Sequence, residues 1–226
     1  MIGKPENRTL IPTTPYTVIY PNQPAILRPG NRLAKRAFDI GLSLLGLLVF
    51  GWLMLLAALL ATIDTRQNGF FTQTRVGRGG QLFRTIKIRT MRNVPGVTTT
   101  VTSARDPRIT RLGRFFRRTK LDELPQLINV LLGQMSFVGP RPDVPGFADQ
   151  LNGADRIILA IRPGITGPAT LSFRHEEALL AAQADPERYN REVIYPEKVR
   201  LNRIYIEQYN LRKDLTYLIQ TVVGPQ

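Results

Sequence analysis

Apolar and polar positions fall along this chain in three distinct patterns. Residues 40–63, IGLSLLGLLVFGWLMLLAALLATI, carry no charge and are bounded by Asp39 and Asp64. As a helix this run would be roughly 36 Å long at about 1.5 Å per residue. That exceeds the ~30 Å apolar core of a bilayer. It also lacks the polar face that a helix in a small soluble domain usually keeps. The pattern predicts a membrane-embedded helix. Residues 69–91 alternate instead. FFTQTRV and QLFRTIKIRTM flank GRGG, which reads as a β-hairpin with its turn at Gly77 to Gly80. In the second arm Phe83, Thr85, Lys87 and Arg89 share one face. Lys87 and Arg89 there are either an exposed charged strand face or a pair aimed at a ligand.

Helical spacing returns over 109–118, 176–184, 196–208 and 211–223. The last of these can pack on the core or lie at a membrane surface. Residues 1–34 hold Pro5, Pro12, Pro15, Pro21, Pro24 and Pro29, so an extended arm is expected there. No apolar core follows the start, so no secretory signal is expected. Residues 93–106 read as a loop or lid. The expected class is α+β, mostly helical with one small hairpin. Its divisions are an arm (1–34), a single membrane-embedded helix (35–66) and a catalytic domain with amphipathic interfacial helices (67–226).

Composition narrows the chemistry. The 226 residues include 31 Lys+Arg against 17 Asp+Glu, a formal charge of +14. Such a surplus favours polyanions, phosphorylated substrates or an anionic membrane leaflet. There is no Cys and one His, His175, so thiolate sites, multi-histidine metal sites and a serine–histidine pair elsewhere are excluded. His175 itself reads as a structural or surface residue. Carboxylates and cations must do any chemistry. Arg32, Lys35 and Arg36 precede the apolar run, placing that end on the cytoplasmic side. A simple span would then put the basic remainder outside. A helix that enters and returns on one face would avoid this, and Gly46 and Gly51 are the candidate bends. Periodicity gives embedding but does not give re-entrance.

The chemical candidates cluster in TKLDELPQLINVLLGQMSFVGPRP, 119–142. Asp122 and Glu123 precede Pro125, which belongs in a helix's first turn. That puts Asp122 near an N-cap. On this stretch alone two readings stand: a cap with a dipole-complementing glutamate, or a carboxylate pair for a phosphate ester and a divalent metal. Upstream, Arg105, Arg108, Arg111, Arg114 and Arg117 recur every third residue, with Arg118 and Lys120 filling in. Downstream, Pro140 and Pro142 hold Arg141 on a stiff backbone, as a surface residue or an anion clamp. Arg162 opens a second rigid turn, RPGITGP, and Arg174 follows it.

Taken together, the chain resembles the bacterial sugar transferase family, the monotopic phosphoglycosyl transferases. The residues that carry the likeness are KRAFD (35–39), FTQTRVG (71–77), F-x-x-x-K-x-R-T-M (83–91), the block from Arg108 to Pro142, and RPGITG (162–167). The likeness spans 35–223. It implies transfer of a phospho-sugar from a UDP-sugar to undecaprenyl phosphate with release of UMP, on the cytoplasmic face of the bacterial plasma membrane. It implies Mg²⁺ at Asp122 and Glu123, Asp122 as the nucleophile that carries the phospho-sugar, and a re-entrant membrane helix. Substrate contacts are expected from Lys87, Arg89, Arg117, Arg118, Pro140, Arg141, Pro142, Arg162 and Arg174. A homodimer is left open, and nucleic acid is not an expected partner. A carboxylate can attack phosphorus and needs no histidine. The chain departs from the family in two places. Gly51-Trp52 stands where many members have Ser-Pro, and PATLSFRHE follows RPGITG in place of WAQVNGR.

Overall fold

A computed structural model describes residues 28–94 and 106–224. Most of the proline-rich arm, and Arg105 with nearly all of the expected lid, lie outside the described residues. The first helix, α1 (Pro29–Thr65), is 37 residues long. It starts six residues inside the expected arm, because Pro29 is well suited to a first helical turn. It runs as one continuous helix through Gly46 and Gly51. It is the one helix among the described residues long and apolar enough to cross a membrane.

One stripe of α1 is buried: Lys35, Asp39, Ser43, Met54, Ala57, Ala58, Ala61 and Thr65. The polar part of that stripe finds partners far along the chain. Lys35 Nζ lies 2.6 Å from Asp214 Oδ2, and Asp39 Oδ1 accepts from Ser136 Oγ (3.0 Å) and the Phe137 N–H (3.1 Å). The opposite face is apolar and exposed, with Leu44, Leu48, Trp52, Leu55, Leu59 and Ile63 outward. Near its far end, Gly69 passes so close to α1 that a Cβ would collide with the Ala58 carbonyl. Its N–H donates to Thr62 Oγ1 at 2.9 Å.

The hairpin forms as expected, from β1 (Phe70–Val76) and β2 (Leu82–Ile88), antiparallel with Phe71 opposite Lys87. Next come α2 (Arg111–Thr119), capped by Thr110 Oγ1 on the Gly113 N–H (2.8 Å), and the short α3 (Gln126–Leu131). A second sheet corrects the sequence reading. FVGPRP and RPGITG are not only turns, since β3 (Ser136–Val138) and β4 (Gly164–Thr166) pair in parallel within them. The rest is helical: α4 (Pro168–Ser172), α5 (Glu176–Ala181), α6 (Pro186–Tyr189), α7 (Tyr195–Glu207) and α8 (Leu211–Val223).

Two apolar clusters meet at α3. Val130, Met135, Val138, Ile157 and Ile206 form one with Leu127. Met54, Ala57, Ala61, Ile88 and Phe116 form the other, with Ile128 against it. α3 is thus held from both sides, and so is the turn that precedes it. α8 divides its faces: Asp214 is buried, while Leu215, Ile219 and Val222 are exposed at i, i+4, i+7.

Candidate active site

Asp122 and Glu123 lie in a single 3₁₀ turn, Leu121–Glu123, between α2 and α3. Lys120 enters that turn at φ 58°, a left-handed conformation that reverses the chain. Two residues then separate Glu123 from α3, whose N-cap is Pro125 and carries no side-chain cap bond. Asp122 therefore does not cap the helix. Its Oδ1 is buried and has no hydrogen-bond partner among the described residues. Buried polar atoms are nearly always paired, so a group left open next to a charged neighbour calls for a ligand.

Glu123 is fully engaged at one oxygen. Its Oε1 accepts from Arg141 Nη2 at 2.6 Å and from Lys87 Nζ at 3.2 Å. Burial pushes the Glu123 carboxyl up, but the Arg141 guanidinium and then the Lys87 ammonium outweigh it and hold it well below the usual carboxylate range. Asp122 goes the other way. Burial first, and the Glu123 charge second, push it up to about 6, against Lys87, Lys120 and Arg117. Burial lowers Lys87, and the Glu123 charge raises Arg141. Two adjacent carboxyls thus have environments that separate their roles. One is a fixed anion between two cations, and the other has an open lone pair and titrates near neutrality.

The cations are mounted on a rigid frame. Asn129 is fully buried on α3 and reaches across to β2. Its Nδ2 donates to the Arg84 carbonyl (2.8 Å) and to Gln134 Oε1 (2.7 Å), and its Oδ1 accepts from the Ile86 N–H (3.0 Å). This fixes β2 one residue before Lys87. The Pro140–Pro142 turn is pinned on two sides. The Pro140 carbonyl accepts from the Gly164 N–H (2.8 Å), and the Pro142 carbonyl accepts from Arg75 Nη1 (3.2 Å). The two prolines thus serve the site through their carbonyls. Just beyond, burial pushes the Asp143 carboxyl up to about 6, with Lys198 and Arg75 opposing.

Of the expected cations, Lys87, Arg141 and Arg117 act on the carboxyl pair. Arg117 also lies 3.9 Å from Glu177 on α5. Four others are placed by the structure away from the carboxyl pair. Arg89 does not follow Lys87: its Nε donates to the Asn68 carbonyl (2.7 Å) and its guanidinium lies over the Phe71 ring. The strand ends at Ile88, so alternation no longer aligns the two. Arg118 is exposed on the last turn of α2. Arg162 Nε donates to the Gly133 carbonyl (2.7 Å), at the other end of α3. Arg174 Nη2 donates to the Gln220 carbonyl on α8 (2.7 Å). Lys120, read from the sequence only as part of the basic run, has a charge that reaches both carboxyls, and sequence reasoning missed the framework pair Asn129 and Arg75. A lone asparagine on an otherwise apolar helix was the available signal for Asn129. His175 is exposed and makes no cap bond to α5.

The donor set suits Mg²⁺ in one specific way. No group of three or more His, Cys, Asp or Glu is assembled among the described residues. Mg²⁺ commonly takes one or two carboxylates and completes its shell with water and substrate phosphates. The unpartnered Asp122 Oδ1 beside Glu123 fits that pattern and would hold the ion only together with an anionic substrate.

The fold sets a helix with one exposed apolar face beside a carboxylate pair among cations, and likeness to known proteins gives the class, a phosphoglycosyl transferase enzyme. The bacterial sugar transferase model matches residues 30–224, and the chain belongs to that family. It is 30% identical over 218 residues to the exopolysaccharide production protein ExoY of Sinorhizobium fredii, covering 89% of each. It is 33% identical over 217 residues to the UDP-glucose:undecaprenyl-phosphate glucose-1-phosphate transferase of Caulobacter vibrioides, covering 93% of this chain and 76% of that one. With the undecaprenyl-phosphate glucose phosphotransferase of Komagataeibacter xylinus the identity is 42% over 200 residues, 85% of this chain and 36% of the relative.

Proposed function

We propose that this protein transfers a phospho-sugar from a UDP-sugar to undecaprenyl phosphate, as the first membrane step in the synthesis of a surface polysaccharide. The observation that carries the reading is the open, buried Asp122 oxygen beside a Glu123 clamped by Lys87 and Arg141. The names of the Caulobacter and Komagataeibacter relatives support the same acceptor.

In the first half-reaction an Asp122 oxygen attacks the β-phosphorus of the sugar nucleotide. The bond from that phosphorus to the bridging oxygen breaks, and UMP leaves with the electron pair. The phospho-sugar is now an acyl phosphate on Asp122, so one difficult displacement becomes two easier ones. In the second half-reaction an oxygen of undecaprenyl phosphate attacks the same phosphorus and frees the carboxylate. Mg²⁺, when bound at Asp122, Glu123 and the diphosphate, would supply charge neutralisation for the meeting of two anions. Arg141, Lys87, Lys120 and Arg117 supply the rest from the protein side.

The exposed face of α1 is read as the membrane contact. Both ends of α1 touch the same domain, at Asp214 and at Gly69, which supports a domain held on one side of the bilayer. The basic residues before the apolar run favour the cytoplasmic side of the plasma membrane.

The test is UMP release from a panel of UDP-sugars, with Mg²⁺ and undecaprenyl phosphate, by the wild type and Asp122→Asn. Release by the wild type alone supports the reaction and identifies the donor. Near-equal release by the variant overturns the nucleophile. Salt-sensitive polyanion binding with no release from any donor would favour a non-catalytic scaffold.

A further inference from the structure

The open Asp122 oxygen fixes where the donor's sugar must begin, because in the acyl phosphate only one phosphorus group separates the two. The segment from α4 to α5 is tied down around that point. Glu177 Oε1 lies 3.9 Å from Arg117 Nη1 on the last turn of α2, five residues before Asp122. Its neighbour Glu176 is held from α7: both of its oxygens accept from Lys198 Nζ, at 2.7 and 2.6 Å. Lys198 Nζ in turn stands over the Phe173 ring, 5.8 Å from its centre. α4 begins beside the turn that carries Arg141. The Gly139 N–H donates to the Thr166 carbonyl (2.9 Å), and a Cβ on Gly167 would collide with the Gly139 carbonyl. Phe173, Glu176 and Lys198 are thus tied on one side to the helix that leads to Asp122, and on the other to the turn of Arg141.

These three side chains are half-buried, and their chemistry matches an uncharged pyranose. A carboxylate accepts from sugar hydroxyls, an ammonium donates to them, and a ring face takes the C–H side. Tyr195, one turn before Lys198 on α7, adds a buried hydroxyl with no hydrogen-bond partner among the described residues, although the Asp143 carboxyl lies beside it. The charges decide against an acidic sugar. Lys198 is matched by Glu176, Arg141 is committed to Glu123, and Arg75 is committed to the Pro142 carbonyl and Gln73. A uronate carboxylate would meet Glu176 with Lys198 already paired, and repulsion of this kind is a common source of selectivity. Phe173 and Glu176 belong to PATLSFRHE, the stretch in which the chain departs from WAQVNGR.

We propose that Phe173, Glu176 and Lys198 form the sugar subsite of this transferase, and that the Glu176–Lys198 pair selects an uncharged hexose over a uronic acid. The proposal rests on the reading that Asp122 takes the phospho-sugar.

The test is calorimetric titration of the full chain in detergent with Mg²⁺, on the Asp122→Asn background, which cannot form the acyl phosphate. The ligands are UDP, UDP-glucose, UDP-galactose and UDP-glucuronate. The affinity of each sugar nucleotide relative to UDP is the gain due to its sugar. At least one of the two hexose donors should bind more tightly than UDP, and UDP-glucuronate should bind no better than UDP. Adding Glu176→Gln, with folding checked by circular dichroism, should lower the hexose gain about tenfold and leave UDP affinity unchanged, the size of one lost bond to a charged group. It also leaves Lys198 without its counter-ion, so UDP-glucuronate should bind more tightly. Lys198→Met should lower the hexose gain and weaken UDP-glucuronate. Opposite movement of the acidic donor in the two variants is a result that a loss of structure would not produce. Glu197→Gln, on the exposed side of α7 and paired with Arg200, should leave every ratio as it is. A hexose gain that survives both variants overturns the subsite, and so does a fall in UDP affinity equal to that of the hexose donor. Movement of UDP-glucuronate in the same direction in both variants overturns the charge selection. The reaction is read separately, by UMP release from the wild type. A hexose gain without release keeps the subsite and removes the reaction, and release without a hexose gain keeps the reaction and removes the subsite.

Discussion

Asn129 on α3 accepts a hydrogen bond from the Ile86 N–H on β2 at 3.0 Å, and so ties the turn bearing the carboxyls to the strand bearing Lys87. Asn129→Ala would remove the partner of that N–H and of the Arg84 carbonyl, both part-buried. The cost expected is about 2–4 kcal/mol. Because the bond sets the position of Lys87, kcat/KM for UMP release should fall even at temperatures where the variant stays folded. Thermal unfolding and kinetics on the same preparation separate the two effects. Unchanged turnover in a destabilised variant would show that Asn129 serves stability only.

Asp122→Asn should remove turnover and yet raise stability. Asp122 is 8% exposed, and its carboxyl is pushed up to about 6 from 3.8. For a raised carboxyl the folded state binds the proton more tightly than the unfolded chain. Stability is therefore lost as pH rises from about 4 to about 6 and stays lost above. The asparagine removes this loss, worth about 1–3 kcal/mol at pH 7.5. Melting curves at pH 7.5 and pH 4 give the check: the variant should melt higher at the first, and the difference should shrink at the second.

The same carboxyl must be ionised to attack. The pH profile of kcat/KM should therefore show an acid limb near pH 6, falling about tenfold per unit below it. Lys87 lowers the Asp122 carboxyl, so Lys87→Met should move the limb to higher pH as well as reduce the plateau. A limb that stays in place would mean that another group sets it.

Much of this was legible in the sequence, and what was not has a common cause. The uncharged run within α1 and the alternation of the hairpin are local signals, and both elements formed. Lys35 and Asp39 are also locally spaced, at i and i+4, but their partners lie 97 to 179 residues away and no spacing announces them. β3 and β4 are three residues each, set among Gly and Pro that read as turns, and their pairing is non-local. The carboxyl pair was legible as two residues, but not the 3₁₀ turn that withholds Asp122 from capping. Arg141 does clamp Glu123, while Arg162 and Arg174 are bonded to backbone carbonyls at the ends of α3 and α8. From sequence an arginine that binds a carbonyl and one that binds a phosphate look alike.

The Lys35–Asp214 pair joins α1 to α8, with side-chain exposures of 10% and 0%. Tyr205 adds a bond to Asp214 Oδ1 at 2.8 Å. Asp214→Asn would leave the Lys35 charge buried without its counter-ion, and a loss of about 3–5 kcal/mol is expected. Lys35→Met with Asp214→Asn should cost less than the sum of the single changes, because no charge then remains inside. Additive losses in a thermal-unfolding cycle would show that the two charges are not coupled.

The outward face of α1 gives the sharpest separation of membrane contact from folding. Leu48 and Leu55 are 82% and 61% exposed, whereas Ala57 and Ala61 on the opposite face are 2% and 1% exposed. Glutamate at Leu48 and Leu55 together disturbs no packing within the domain, so thermal stability in detergent should change by less than about 0.5 kcal/mol per site. A charge in the apolar region of a bilayer costs about 2.5–3.5 kcal/mol for an aspartate at the centre of a span. The double variant should therefore leave the membrane fraction while remaining folded. Ala61→Glu should do the reverse and unfold the domain, since it inserts a charge between α1 and the cluster around Phe116. If the Leu48/Leu55 variant instead loses its fold in detergent, that face is covered by protein, and a second copy of the chain becomes the occupant to test by cross-linking.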